Sequence, residues 1–374
     1  MDKILLSSGL AFIITFFAIP VIIQVAKDKK LFDKPDGRKV HKAVIPTLGG
    51  LGIFAGFVIA TLLGVPQGGS SELQYFIAAS IVIFFLGIKD DILILSATKK
   101  FAGQLIAAGI LIKFGGVQLN NMHGFLGIHE MPHLASIVLS FLTIVVITNS
   151  FNLIDGVDGL AGSIGILTSF LFGAYFFYIN ELTYAVMAFS LTGSLIGFLI
   201  YNFPPARIFM GDTGSLLVGL INAILVIKFI NIASDPNAVM HVESATSIGF
   251  AILMIPLFDT LRVFGLRIIS RRSPFSPDRN HIHHFLLDLG LSHRNTTLIC
   301  VSSNVIFIVL AWGFRSIGTT YLMMLLFGTA LLFTAIVYAV RERKRSILNK
   351  QSYDSELVKS EKIFSLVSEM INAD

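Results

Sequence analysis

Eleven apolar stretches, most of them about as long as a helix needs to cross a bilayer, leave this chain few folds to choose from. A spanning helix takes about 20 mostly apolar residues. Seven stretches meet that requirement outright, at 4–26, 48–65, 160–179, 182–201, 215–232, 297–314 and 318–340. Four more, at 73–88, 101–117, 134–148 and 245–264, are shorter or flanked by polar residues, and length alone would let them be re-entrant or buried. Only 14% of the 374 residues are charged and 54% are hydrophobic, against the roughly 25% charge of soluble domains. A soluble globular protein is thereby excluded. The 32 glycines suit helices that pack closely in lipid. The single cysteine, Cys300, excludes an internal disulfide.

Charge placement decides the parity of the spans. With eleven crossings and an external N-terminus, the alternate segments 27–47, 89–100, 149–159, 202–214, 262–296 and 341–374 carry 7, 3, 0, 1, 6 and 7 Lys plus Arg, which is 24 of 28. Basic residues stay on the cytoplasmic side, so that face is internal. The other four, Lys3, Lys113, Lys228 and Arg315, are expected on the outside or near that end of a helix, with long side chains snorkelling to the interface. The first span lacks a small-residue cleavage pattern and runs into Lys27, Lys29 and Lys30, which reads as a retained anchor. The expected architecture is an all-α polytopic membrane protein in the inner or plasma membrane. Residues 1–340 form its membrane domain and 341–374 a basic cytoplasmic tail attracted to anionic lipid or simply solvated.

Acidic residues close to lipid are costly and tend to be paired or functional. Here Asp90 and Asp91 close the third span, Asp155 and Asp158 lie in NLIDGVDGLAG after the fifth, and Asp212 lies in MGDTGS before the eighth. All five fall at cytoplasmic ends, none at a midplane where a coupled transporter or flippase would bind its cation. Such a group needs cationic compensation, and a hard cation shared with phosphate oxygens is the natural partner. Thr213 to Ser215 also open a helix whose amides could face an anion. The basic complement lies on the same face. Lys34, Arg38, Lys39, His41 and Lys42 stand between the first two spans, and Arg271, Arg272, Arg279, His281, His283 and His284 lie in 265–296. Three histidines in HIHH without a cysteine do not make a standard zinc spacing. Their arginine neighbours favour an anionic ligand of the nucleotide diphosphate type.

One motif is rejected. His129 to His133 reads HEMPH, formally the zinc-protease pattern. That chemistry needs both histidines on one continuous helix, and Pro132 together with the loop-like GFLGI before it argues for an external loop.

In order, HKAVIPTLGG, the Asp90–Asp91 pair followed by SATKKFAGQ, NLIDGVDGLAG, YNFPPARIFMGDTGS, PLFDTLRV and DRNHIHH resemble the blocks of the polyprenyl-phosphate N-acetylhexosamine-1-phosphate transferases, in their WecA/TagO-like branch. The resemblance spans about residues 30–340. It implies Mg2+-dependent transfer of GlcNAc-1-phosphate from UDP-GlcNAc to undecaprenyl phosphate, with Mn2+ a possible substitute, giving UMP and a lipid-diphosphate sugar. By matched position, Asp212 looks like the metal ligand. Asp90, Asp91, Asp155 and Asp158 look catalytic, Asp90 orienting or deprotonating the lipid phosphate. His41, Lys100, Asn152, Asn202, Arg279, His281, His283 and His284 would bind substrate, Lys100 touching phosphate and the arginine–histidine block engaging the UDP-sugar. Relatives often have proline after the serine of the second block; here it is Ala97, which bears on the choice of Lys100 over Lys99. Asp259 and Arg262 read as an ion pair three apart on a helix. The alternative within the family is a phospho-MurNAc-pentapeptide transferase, whose relatives typically have ten spans and a different histidine block. Nothing suggests a nucleic-acid partner, and a homodimer remains open.

Overall fold

The computed structural model describes residues 2–29, 45–66, 70–93, 95–271 and 280–371. Within them the helices α1 (Asp2–Asp28), α2 (Gly49–Gly64), α3 (Leu73–Leu93), α4 (Ala97–Lys113), α5 (His133–Ile154), α6 (Leu160–Tyr178), α7 (Leu182–Asn202), α8 (Gly211–Ala233), α9 (Ala245–Ile252), α10 (Met254–Ile269), α11 (Ile282–Asp288), α12 (His293–Gly313) and α13 (Thr319–Ile371) follow in order. Seven of them, α1, α5, α6, α7, α8, α12 and the first part of α13, are long and apolar enough to cross a membrane. The bent pair α9–α10 would make an eighth. The chain is a helical, multi-pass membrane protein.

Helix α8 is the central post. Its apolar window is 89% buried, against 22% for α1, which turns most of its surface outward. Neighbouring helices reach the first turn of α8 through glycines: a Cβ on Gly50 would lie 2.2 Å from the Gly214 amide nitrogen, and one on Gly87 would lie 2.4 Å from Thr213 Cα. Between helices in lipid such backbone contact, rather than a hydrophobic drive, supplies much of the packing energy. It also pins α2 and α3 against the turn that carries Asp212.

Three expectations change. The stretch 245–264 does not form one straight span: α9 and α10 meet at a bend of 86° around Leu253. Pro256 has no N–H for the Ile252 carbonyl four residues back, and a proline there disfavours a continuous helix. The Asn304 side chain repairs the break, its Nδ2 donating to the Ile252 carbonyl at 2.9 Å and its Oδ1 accepting from the Ile255 amide at 2.9 Å. Lys228 does not snorkel. It is 8% exposed, donates to Glu72 at 2.8 Å, and shares that carboxylate with the Tyr184 hydroxyl at 2.6 Å. The segment before α5 is not all loop, since β1 (Asn121–Phe125) and β2 (Ile128–Glu130) form an antiparallel hairpin. Leu126 and Gly127 both have positive φ at its two-residue turn. His129 lies on β2 and His133 opens α5, so the HEMPH histidines do not share a helix. Helix α13 runs unbroken from Thr319 to Ile371, through the start of the basic tail.

Candidate active site

The C-terminal ends of α3, α5 and α7 and the N-terminal ends of α4, α6, α8 and α12 meet at one end of the bundle. Helix N-termini carry unpaired amides and partial positive charge, which favours anions there. Gly211 turns the chain into α8 with φ +71, a region where a side chain would be strained. A Cβ there would also meet the Thr47 carbonyl at 2.1 Å and the Asp91 carboxylate at 2.8 Å.

Lys100 is the hub. Its ammonium contacts Oδ2 of Asp90 and lies 2.5 Å from Oδ2 of Asp212, so one cation bridges α3 and α8. Lys99, one residue earlier, is exposed. Ala97 is the first residue of α4, the position where proline is also at home, so alanine there leaves the helix start and the inward turn of Lys100 intact. Asp90 Oδ1 accepts from the Leu95 amide at 2.5 Å, and Asp212 Oδ1 accepts from Asn152 Nδ2 at 2.9 Å. Asn152 also reaches Ser215 Oγ at 3.0 Å.

Asp91 has another task. Its Oδ1 accepts from the Asp212 amide at 2.7 Å, and its Oδ2 accepts from the Thr213 amide at 3.0 Å and the Thr213 hydroxyl at 2.5 Å. It caps α8 from the neighbouring helix and leaves neither oxygen without a donor. Asp155 sits in the loop after α5. Burial first, then the charges of Asp212, Asp91 and Asp158, push its carboxyl well above the usual carboxylate range, outweighing a hydrogen bond from the Gly211 backbone.

Asp158 and Asn202 are buried beside the site with internal hydrogen-bond partners. Asp158 Oδ2 accepts from the Ala206 amide at 3.2 Å, and its Oδ1 lies 3.2 Å from His293 Nδ1 on α12. Asn202, expected to touch the nucleotide sugar, is buried with both ends of its amide engaged internally: Oδ1 accepts from Gly159 at 2.9 Å and Nδ2 donates to Ile208 at 2.9 Å. These two residues staple the 203–210 loop to the start of α6.

The histidine block reaches the acids through α11. A Cβ on Gly156 would lie 3.0 Å from His283 Nε2, so this ring packs on the loop between Asp155 and Asp158. Burial, followed by the charge of His284, holds His283 down at about 3, so the ring is neutral. The His281 ring is stacked 5.5 Å from that of His283, and the His284 ring lies 4.4 Å from His283 and 6.4 Å from His281, so the three rings cluster. His281 Nδ1 lies 2.8 Å from Oδ2 of Asp259, whose Oδ1 accepts from the Ile282 amide at 3.1 Å and from Arg262 at 2.7 Å. Asp259 is thus more than half of an ion pair: it anchors the histidine segment. Neither Asp259 nor His293 was among the expected site residues; the sequence signals for Asp259 were its place in the PLFDTLRV block and its three-residue spacing from Arg262. His41 and Arg279, with Lys34, Arg38, Lys39, Lys42 and Arg272, lie outside the described residues.

This geometry defines a class, a membrane-embedded protein with a carboxylate, lysine and histidine site at the helix ends of one face. The sequence pattern of glycosyl transferase family 4 matches residues 73–230. The chain is 31% identical over 350 residues to a probable undecaprenyl-phosphate N-acetylglucosaminyl 1-phosphate transferase of Bacillus subtilis (strain 168), covering 91% of this chain and 94% of that one. It is 35% identical over 312 residues to the decaprenyl-phosphate N-acetylglucosaminephosphotransferase of Mycobacterium leprae (strain TN), covering 77% and 78%. It is 28% identical over 287 residues to the undecaprenyl-phosphate alpha-N-acetylglucosaminyl 1-phosphate transferase of Escherichia coli O157:H7, covering 74% of each. The chain belongs to the polyprenyl-phosphate N-acetylhexosamine-1-phosphate transferase family and is an enzyme of that kind.

Among the described residues no three His, Cys, Asp or Glu side chains converge as a preformed metal cage. The donor chemistry nevertheless fits a hard cation. Asp90 and Asp212 share Lys100, Asp91 accepts from the Asp212 amide, and Asp155 feels the charges of Asp212 and Asp91; Mg2+ needs only one or two protein carboxylates with water and substrate phosphate completing its shell.

Proposed function

We propose that the chain transfers GlcNAc-1-phosphate from UDP-GlcNAc to undecaprenyl phosphate, releasing UMP, as the initiating step of a cell-envelope polysaccharide such as teichoic acid or lipopolysaccharide. The relatives' names support the acceptor and the sugar phosphate. The observation that carries the reading is Lys100 bridging Asp90 and Asp212 beside a histidine segment packed on the Asp155–Asp158 loop. With 24 of 28 basic residues in alternate segments, the reading puts this site on the cytoplasmic face, with eleven crossings and an external N-terminus.

Phosphoryl transfer is largely positioning and charge neutralisation. The lipid phosphate, with a second pKa of about 6, is mostly dianionic at neutral pH, so Asp90 orients the phosphate more than it deprotonates it. Lys100 is released from its carboxylates toward the incoming phosphate and offsets its charge. A phosphate oxygen then attacks the sugar-linked phosphorus, and the bond from that phosphorus to the UMP oxygen breaks. Mg2+, or Mn2+ in its place, would be held by Asp212 and would neutralise the donor diphosphate. His281, His283 and His284, with Arg279, engage the UDP-sugar, and His41 binds substrate; Asp259 keeps His281 in register.

The test is UMP release in detergent from UDP-GlcNAc and from UDP-MurNAc-pentapeptide, with and without Mg2+. Release from UDP-GlcNAc only, dependent on both Mg2+ and lipid phosphate, is expected. Preference for the pentapeptide donor sinks the sugar assignment, and a labelled phosphosugar–enzyme trapped without acceptor sinks the single displacement.

A further inference from the structure

Helix α11, Ile282 to Asp288, has only seven residues yet carries His283 and His284. Isolated helices shorter than about 12 residues are marginal in water, so its place must be set by what grips it. Asp259 and Arg262 of α10 hold its N-terminal end. The C-terminal end is gripped by α13, beyond the apolar part of that helix. Asp288 Oδ2 accepts from Arg341 Nε at 2.8 Å and Nη2 at 2.6 Å, and the Leu289 carbonyl accepts from Lys344 Nζ at 2.7 Å. The Arg341 guanidinium also lies 4.5 Å from the centre of the Phe285 ring, which has Arg262 at 5.5 Å and the Tyr338 ring at 5.9 Å.

A helix C-terminus attracts cations, and Lys344 and Arg341 are placed to exploit that. The run Arg341, Arg343, Lys344, Arg345 otherwise reads as a lipid-facing stop signal. Its members differ, however: the Arg341 side chain is 16% exposed and that of Arg345 66%. Two cations of the cluster are therefore spent on the protein rather than on the membrane surface.

We propose that Arg341 and Lys344 are positioning residues that clamp α11, and so hold His283 against the Asp155–Asp158 loop for the sugar-nucleotide donor. The inference rests on the donor reading given above. It makes the tail's first turns part of the donor site's scaffold.

The test compares Arg341→Met with Arg345→Met in the full chain in detergent. Arg341→Met is expected to raise KM for UDP-GlcNAc about tenfold, the equivalent of about 1.4 kcal/mol, while kcat and the lipid-phosphate KM stay within about twofold. Arg345→Met should change neither. In a His283→Ala background Arg341→Met should add no further loss, because the clamp acts through that ring. Hydrogen exchange of residues 282–289 without any substrate should be faster in Arg341→Met, reporting the clamp independently of catalysis. Asp288→Asn, at a half-exposed position, serves if Arg341→Met fails to fold. Unchanged exchange overturns the clamp, and faster exchange with an unchanged donor KM overturns its role in donor binding. A wild-type enzyme that releases no UMP from UDP-GlcNAc overturns the donor reading alone, since the exchange measurement still decides the clamp.

Discussion

Replacing Asp91 by alanine separates two readings of the paired aspartates. In the structure Asp91 accepts three hydrogen bonds, from the amides of Asp212 and Thr213 and from the Thr213 hydroxyl, at 2.7, 3.0 and 2.5 Å. Its carboxylate is also the anion at the N-terminus of α8. Leaving one such donor without a partner costs about 1–3 kcal/mol, and losing a partly buried charge at a helix N-terminus adds up to about 1–2 kcal/mol. Water entering from the polar end of the bundle recovers part of this, so Asp91→Ala should destabilise by about 2–4 kcal/mol. Activity should fall with it, because the freed turn carries Asp212. The assay is paired: thermal unfolding in detergent followed by intrinsic fluorescence, and UMP release measured well below the unfolding midpoint. A variant that melts like the wild type yet releases no UMP would refute the capping argument and return Asp91 to the chemistry.

Asp212→Asn should behave in the opposite sense, abolishing turnover and weakening Mg2+ dependence while its melting point stays close to wild type; normal turnover would remove Asp212 from the metal site. Substituting His283 with alanine should chiefly raise KM for the UDP-sugar, and a variant with intact donor affinity but altered lipid use would displace the histidine segment from the donor. Because His283 is held at about 3 against an ordinary 6.5, the unfolded chain takes up a proton that the folded one refuses between those values. Its stability contribution is therefore lost as pH falls through that window, and His283→Gln should flatten the acid side of a melting-temperature profile. Asp155 is raised instead, so its ionised form costs stability above the ordinary carboxylate range. Asp155→Asn in a chelator should raise the melting temperature at neutral pH while losing activity, and a lower melting temperature would refute the crowded-carboxylate picture.

Much of this protein was legible along the chain because hydropathy and charge are local properties. Six of the seven long apolar runs became α1, α6, α7, α8, α12 and the membrane part of α13; the seventh, 48–65, gave the 16-residue α2, while the shorter stretch 134–148 lies in α5, which is long enough to cross. The acids of three separate segments did meet at one end of the bundle, since burying them elsewhere in lipid would cost too much. The break between α9 and α10 was harder to read. Pro256 is its local cause, but the side chain that repairs it, Asn304, lies 52 residues from the Ile252 carbonyl it bonds.

What the sequence determined alone was the membrane class, the alternation of charge and which residue types could do phosphate chemistry, all set by the cost of moving each side chain from water to lipid. Only the tertiary structure divided the aspartates by task. Asp90 and Asp212 share Lys100, Asp91 caps a neighbouring helix, Asp158 staples a loop, and Asp259 anchors His281. An aspartate's chemical type is written in the chain, but its role depends on which donors the packed helices bring within about 3 Å of each oxygen, and those donors come from helices far apart in sequence.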